Sequence, residues 1–295
     1  MLIKKPVVVG LGEVLWDVFP NGEHFGGAPA NVAMHAAALG AEAWMVSAVG
    51  RDARGDAALA QLDAAGVHRG TVAQQIQHRT GVVRVSIDAT GQPAFDIEPD
   101  VAWDYVPWSA DVAELVGRCD AICFGTLAQR APVTRATIAR AVGATPRSAW
   151  RLFDVNLRQI YFDAGTIRAS LTLANAVKLN DEELPLVARL CKLQGSTPLD
   201  QLRELCAEFE LRLAALTRGA SGAVLVTPHE ICESAAPRTV VADTVGAGDA
   251  FTATLLMGLL TGHSLAEVSE RANAVAAYVC SQPGATPSIP ETLIF

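Results

Sequence analysis

Short, nearly unbroken apolar runs punctuate this chain at Val7-Val-Val-Gly-Leu11, Trp44–Val49, Ala121–Phe124, Leu152–Val155, Ala176–Leu179 and Leu213–Thr217. Runs of this length predict strands buried on both faces. Stretches of helical character separate them, among them an Ala-rich one from about Pro29 to Leu39 and another over roughly Gly55–Ala65. Strands alternating with helices predict an α/β fold, a doubly wound and mainly parallel sheet flanked by helices. Ligands of such a sheet are expected beyond the C-terminal ends of its strands. One region breaks the rhythm. Thr80-Gly-Val-Val-Arg-Val-Ser-Ile87 alternates like a half-exposed strand, Gly91-Gln-Pro93 predicts a turn, and Ala94–Glu98 can return as its partner. Such a hairpin is either an edge decoration or a movable cover over a site. Phe95 on it is then a ligand contact or an ordinary packing aromatic.

Length and composition narrow the picture. A chain of 295 residues holds one large α/β domain or two ordinary ones. With no internal repeat, low-complexity tract or linker, the expectation is a single domain over 1–295, with a small β lid formed by about 13–26 and 78–100. The 51% hydrophobic content and a mean hydropathy of +0.27 provide for a large core. The most apolar stretch, Thr254–Leu260, is far short of the ~20 residues that span a membrane. Lys4 and Lys5 precede an apolar run, but Glu13 and Asp17 interrupt it, so a signal peptide is not expected. A net charge of −8 argues against general nucleic-acid binding. The six cysteines show no CxxC pair and no His-linked zinc spacing, as in a reducing cytoplasm.

Candidate chemistry concentrates at Asp243-Thr-Val-Gly-Ala-Gly-Asp249, which runs into the helix-like Ala250–Leu260. Small residues leave the N–H groups of Gly246, Ala247 and Gly248 uncovered at a helix start, where unpaired donors and the macrodipole favour an anion. Asp249 in the same turn would weaken a pure phosphate cradle, which suggests a second task. A base beside a phosphate-holding loop is what phosphoryl transfer to a hydroxyl requires. The plainer alternative is an Asp favouring a helix N-terminus after a Gly-Ala-Gly turn.

A second motif, Gly26-Gly-Ala-Pro-Ala-Asn31, continues through Ala33, Gly40 and Gly50. Together and in order, the two motifs make the chain resemble the ribokinase-like (PfkB) carbohydrate kinases over essentially its full length. Thr254 departs from the Gly or Ala usual there, and no G-x-x-x-x-G-K-[ST] loop is present. The resemblance implies a ribokinase-like fold, Asp249 as general base, and Gly246, Ala247 and Gly248 as the anion hole for ATP. It implies a sugar site around Asp17, Gly26, Gly27 and Asn31; singly, these could be turn, loop and helix-start residues.

Asp154-Val-Asn156-Leu-Arg158 resembles the D-x-N-x-R segment of fructokinases and related hexose or keto-sugar kinases. Arg158 would serve sugar or phosphate there, or else form a surface salt bridge. Asn180-Asp-Glu-Glu183 resembles the N-x-x-E that organises magnesium (Mg2+) and phosphates, with Glu183 acting mostly through water. Its alternative is acidic residues favouring a first helical turn. Lys178 would assist phosphate binding. Thr217, Gly219 and Gly222 resemble a phosphate-facing turn, and a hairpin explains the glycines equally well. Asn273 is an adenine-pocket candidate or a surface Asn. Gly284 and Ser288, with Asp243 and the Val245 carbonyl, are candidates for holding potassium (K+), although Asp243 could equally cap its own turn.

The implied function is ATP-dependent phosphorylation of a small sugar, with fructose leading and a homodimer as candidate assembly in the cytoplasm. Ribokinase, 2-keto-3-deoxygluconate kinase and nucleoside kinase are the alternatives; the 6% aromatic content offers a nucleoside base little to stack on. A catalytically silent sugar or nucleotide sensor is the alternative from another class. The intact Asp249, anion-hole residues and N-x-x-E count against it.

Overall fold

The computed structural model describes residues 4–20, 22–87 and 93–295. In chain order the elements are β1 (Val7–Leu11), β2 (Leu15–Phe19), β3 (Gly22–Gly26), α1 (Ala28–Ala38), β4 (Glu42–Gly50), α2 (Ala53–Ala64), β5 (Val72–Gln75), β6 (Gly81–Ile87) and β7 (Pro93–Ile97). Then follow α3 (Ala110–Arg118), β8 (Ala121–Gly125), α4 (Pro132–Ala144), β9 (Trp150–Asp154), α5 (Ala164–Leu173), β10 (Ala176–Asn180), α6 (Glu183–Cys191) and α7 (Pro198–Glu208). The chain ends with β11 (Leu213–Thr217), β12 (Ala223–Val226), β13 (Ile231–Ser234), α8 (Ala247–Leu260) and α9 (Leu265–Cys280). No helix among the described residues is long and apolar enough to cross a membrane.

Nine strands form one sheet in the order β13-β12-β11-β10-β9-β8-β1-β4-β5. Pairing is parallel from β11 through to β5, while β12 runs antiparallel to both its neighbours. The expected buried strands are all in it. On β1 the period-two alternation sends Val7, Val9 and Leu11 into one apolar layer and Val8 into the other. The first layer is closed by α3–α7, through residues such as Val112, Ile138, Ile167, Leu184 and Leu202. The second is closed by α1, α2, α8 and α9, through Ala33, Leu62, Phe251 and Val268. Helices on both faces explain why these strands carry no polar side.

A second sheet of four strands, in the order β3-β2-β6-β7, is built from the segments that broke the rhythm. Of the expected turn, Gly91 and Gln92 lie outside the described residues. Val83, Val85 and Ile97 join the first apolar layer, so one face of this sheet rests on the main body.

Asp52 ties the two sheets together. Its carboxylate caps α2 by accepting from the Gly55 N–H at 2.8 Å and also accepts from Thr80 N and Oγ1, each at 2.8 Å. Thr80 Oγ1 in turn accepts from Gly50 N at the end of β4. Burial works against the charge on Asp52, yet these donors outweigh it and hold the pKa below the usual carboxylate range. Stability from a depressed carboxyl is present above its unfolded value near pH 4 and lost as pH falls through the folded one. Asp52→Ala should cost about 1–3 kcal/mol, since it removes a cap and orphans the Thr80 N–H. Urea unfolding at neutral pH measures this, and a loss under about 0.5 kcal/mol would show that water replaces the carboxylate.

Candidate active site

The C-terminal ends of β1, β8, β9, β10 and β11 share one edge of the main sheet, and the start of α8 lies against it. Gly246, the N-cap of α8, adopts φ +79° and offers no side-chain cap. A side chain there would overlap the backbone of Ala285, so a residue without one is required. The first N–H groups of a helix of 14 residues are thus left without a side-chain cap, as an anion site needs. Asp249 stands in that first turn, and its Oδ2 accepts from Asn31 Nδ2 at 2.8 Å. Burial, aided by the negative charge of Asp154, pushes the Asp249 carboxyl up to about 7 against the pull of Asn31, Lys178 and Arg158.

Beneath this turn lies a buried ion pair. Lys178 Nζ on β10 donates to Asp154 Oδ1 at 3.1 Å, and Thr252 Oγ1 on α8 donates to Asp154 Oδ2 at 2.8 Å. Lys178 Nζ lies 3.1 Å from where a β-carbon on Gly248 would sit, so the ammonium supports the loop from below. Burial works to lower the Lys178 pKa, but Asp154, Glu183 and Asp249 overcome it and leave the pKa raised. The lysine assigned to phosphate by resemblance is therefore already paired to a carboxylate.

The N-x-x-E segment is a backbone brace. Asn180 Oδ1 accepts from the N–H groups of Glu182 and Glu183, while Glu183 Oε2 accepts from Asn180 N and Oε1 from Leu157 N. Glu183 thereby fastens the loop after β9 to the end of β10. That loop holds Asn156 at φ +41° and Gln159 at φ +48° on either side of Arg158. Asn tolerates this region better than most residues, which accounts for its place in D-x-N-x-R. Gln159 Nε2 donates to the Phe95 carbonyl at 2.6 Å, linking the loop to the small sheet. Phe95 itself is 53% exposed and is no core aromatic.

Asp17 lies on β2, half-buried, its pKa raised to about 6 by burial against the charges of Arg158 and His24. A β-carbon on Gly26, on the neighbouring β3, would come within 2.7 Å of Asp17 Oδ2, so the glycine keeps that carboxylate accessible. Gly27 is the N-cap of α1, which carries Asn31. Sequence reasoning left out Glu13, which is 2% exposed at the mouth of β1 and has no hydrogen-bond partner for Oε2 among the described residues. Burial raises its pKa, against its own and Ala28's backbone amides and against Arg158 and Arg130. The signal was a lone carboxylate directly after an apolar strand. Exposed Arg158 acts on Glu13, Asp17 and Asp249 alike, and so faces both the small-sheet carboxylate and the one on α8.

The remaining candidates lie on the β11–β12 turn, on α9 and in the loops before α8 and after α9. Thr217, Gly219 and Gly222 form the turn between β11 and β12, with Thr217 Oγ1 on the Leu179 carbonyl at 3.5 Å. Asn273 is buried, and Nδ2 donates to Ser234 Oγ at 2.7 Å, binding α9 to β13. Asp243 Oδ1 accepts from Val245 N at 3.0 Å and Oδ2 from Gly284 N at 3.2 Å, so it caps its turn and bridges two loops. The Ser288 carbonyl accepts from Tyr278 Oη at 3.1 Å. Thr254, the departure from the usual residue, is buried with its hydroxyl donating back to the Ala250 carbonyl at 2.8 Å.

The sequence profile of the pfkB family of carbohydrate kinases matches residues 11–292, and the chain belongs to that family. It is 30% identical over 262 residues to the fructokinase of Klebsiella pneumoniae, covering 84% of this chain and 83% of that one. The solved fructokinase of Vibrio cholerae O395, in a form with fructose, ADP and calcium bound, superimposes with a TM-score of 0.82 at 25% identity, covering 97% of this chain and 96% of that one. The aminoimidazole riboside kinase of Salmonella enterica, complexed with aminoimidazole riboside and an ATP analogue, gives 0.81 at 25% identity, with 97% and 98% covered. The fold is therefore ribokinase-like, and the protein is a phosphotransferase with an alcohol group as acceptor.

The Asn31 bond stabilises the ionised form of Asp249 more than the neutral one. Asn31→Leu should move the Asp249 titration above about 7, with the carboxylate forming only at higher pH. Carboxyl-carbon NMR across pH 5–9 reads this directly. An unmoved midpoint would remove Asn31 from control of that charge.

Proposed function

We propose that this PfkB-family kinase transfers the γ-phosphoryl group of ATP to a hydroxyl of a small neutral sugar, with fructose the leading substrate. The observation that carries the reading is Asp249 within the uncapped first turn of α8, its carboxyl held by Asn31. A pKa of about 7 suits a base working near neutrality. Asp249 takes the proton as the sugar oxygen attacks the γ-phosphorus, and the bond to the bridging oxygen breaks to release ADP. The Gly246, Ala247 and Gly248 amides meet the charge on the equatorial oxygens. Asp17, Gly26 and Gly27 form the sugar side, Asp17 accepting from two hydroxyls, and Asn31 Oδ1, which has no partner among the described residues, supplies a further acceptor.

Arg158 neutralises charge as phosphate and sugar meet. Lys178 acts through the loop it supports. Thr217, Gly219 and Gly222 line the phosphate path, and Asn273 closes the adenine end. Magnesium, when bound, offsets phosphate charge. Asn180 and Glu183 already serve the backbone, which suits contact through the ion's retained waters. Asp243, bridging Val245 and Gly284, marks the place for potassium, so activity should respond to potassium over sodium at fixed ionic strength. A flat response would leave Asp243 a bridge alone. The small sheet closes over sugar, and hydrogen exchange in 81–87 and 93–97 that ignores saturating sugar would make it static.

Charge supports the choice of substrate class. Five carboxyls (Glu13, Asp17, Asp154, Glu183 and Asp249) stand against Lys178 and Arg158, while His24 acts on Asp17 and the Arg130 that acts on Glu13 is itself paired with Asp104. A sugar acid would meet this field unfavourably, which favours fructose over 2-keto-3-deoxygluconate. The likeness to the riboside kinase makes a riboside the second reading.

A sugar panel tests the proposal, with fructose expected to give the highest kcat/KM and 2-keto-3-deoxygluconate among the lowest. A sugar acid leading the panel would overturn the charge argument. Asp249→Asn should lower kcat by ~10²–10⁴-fold with little change in ligand affinity. Asp17→Ala should raise the sugar KM roughly 10- to 150-fold, from about 1.5–3 kcal/mol of lost hydrogen bonding, and spare the ATP KM. Near-normal kcat in the first variant, or equal weakening of both substrates in the second, would reassign those residues.

A further inference from the structure

Helix α1 carries Asn31 and, four residues on, His35, which places both on one helical face. Asn31 reaches Asp249. His35, 1% exposed, places Nε2 2.9 Å from the Ala285 carbonyl. A carbonyl can only accept, so the ring is the tautomer with its proton on Nε2. Burial holds the imidazole pKa down to about 4, so it is neutral at physiological pH.

Ala285 is the residue against which Gly246 packs without a side chain, and its neighbour Gly284 donates to Asp243. The loop after α9 is therefore pinned from two directions, by Asp243 and by His35, with Gly246 lying against it.

We propose that His35 is a positioning residue: its Nε2–H fixes the Ala285 carbonyl and so sets the backing on which the Gly246–Gly248 loop takes its anion-binding shape. His35 is buried and acts through the Ala285 carbonyl. This inference rests on the reading of Gly246–Gly248 as the anion hole.

The test compares His35→Leu, which fills the core without a donor, with His35→Gln, which retains an N–H. Leucine should lower kcat about ten-fold or more, because small misplacements of a catalytic loop are costly, while the sugar KM stays within about two-fold. Glutamine should recover most of the loss. A purely structural histidine would instead lower thermal stability without that split. Leucine with kcat within about two-fold of the parent would overturn the proposal, and so would glutamine falling as far as leucine.

Amide hydrogen exchange across 281–288 gives a readout independent of turnover, and it should quicken in His35→Leu and not in His35→Gln. Unchanged exchange in the leucine variant would overturn the pinning itself. Quickened exchange with undiminished kcat, alongside an inactive Asp249→Asn, would overturn the positioning role and leave the proposed function standing. Full activity of Asp249→Asn would instead count against the proposed function.

Discussion

The Lys178–Asp154 pair is the interaction on which the site depends. Two opposite charges are buried at the strand edge, where desolvation alone would favour neither being ionised. They persist because each is held more than once: Asp154 by Lys178 and by Thr252 of α8, and Lys178 by the fields of Asp154, Glu183 and Asp249. Apolar residues of the same volume would be at least as stabilising in such a place, so stability does not explain the pair. Its geometric effect does. It joins β9, β10 and the first turn of α8, and it puts a positive charge beneath a loop otherwise ringed by carboxyls. Without Lys178, Asp249 beside Asp154 would hold its proton still more tightly.

Much of the fold was legible in the sequence because the main sheet is buried on both faces. Apolar strands such as Val7–Leu11 and Ala121–Phe124 carry no ambiguity of side, and their order with the intervening helices implies a parallel sheet. The small sheet announced itself by alternation at Thr80–Ile87, whereas Gly22–Gly26, which pairs with β2 inside the expected 13–26 segment, has no apolar period of its own.

The glycine-rich loop was legible for the same local reason, a helix start with no side chains in the way. What escaped were contacts between residues distant in the chain. Asn31 and Asp249 are 218 residues apart, and His35 and Ala285 are 250 apart, so no window of sequence pairs them. The pairing of Lys178 with Asp154 was hidden because its partner lies on the next strand. The backbone bonds of Asn180 and Glu183 stayed hidden because side chains that satisfy backbone amides look the same in sequence as side chains that hold an ion.

Small residues on α1 make the long-range contacts possible. Ala30, Ala33 and Ala36 on one helix, and Phe251, Ala253 and Leu256 on the other, belong to one apolar layer, and the two helices pack directly. With so little bulk on α1, a side chain as short as asparagine spans the gap to Asp249. A helix also transmits position faithfully, being stiff over its 11 residues, about 16 Å. Its N-terminus carries Gly27, next to Gly26 and the Asp17 carboxylate, its first turn meets the Asp249 carboxylate, and its second meets the loop behind the anion site. One helix therefore ties together the Gly26–Gly27 segment beside Asp17, the Asp249 carboxylate and the loop on which Gly246 rests.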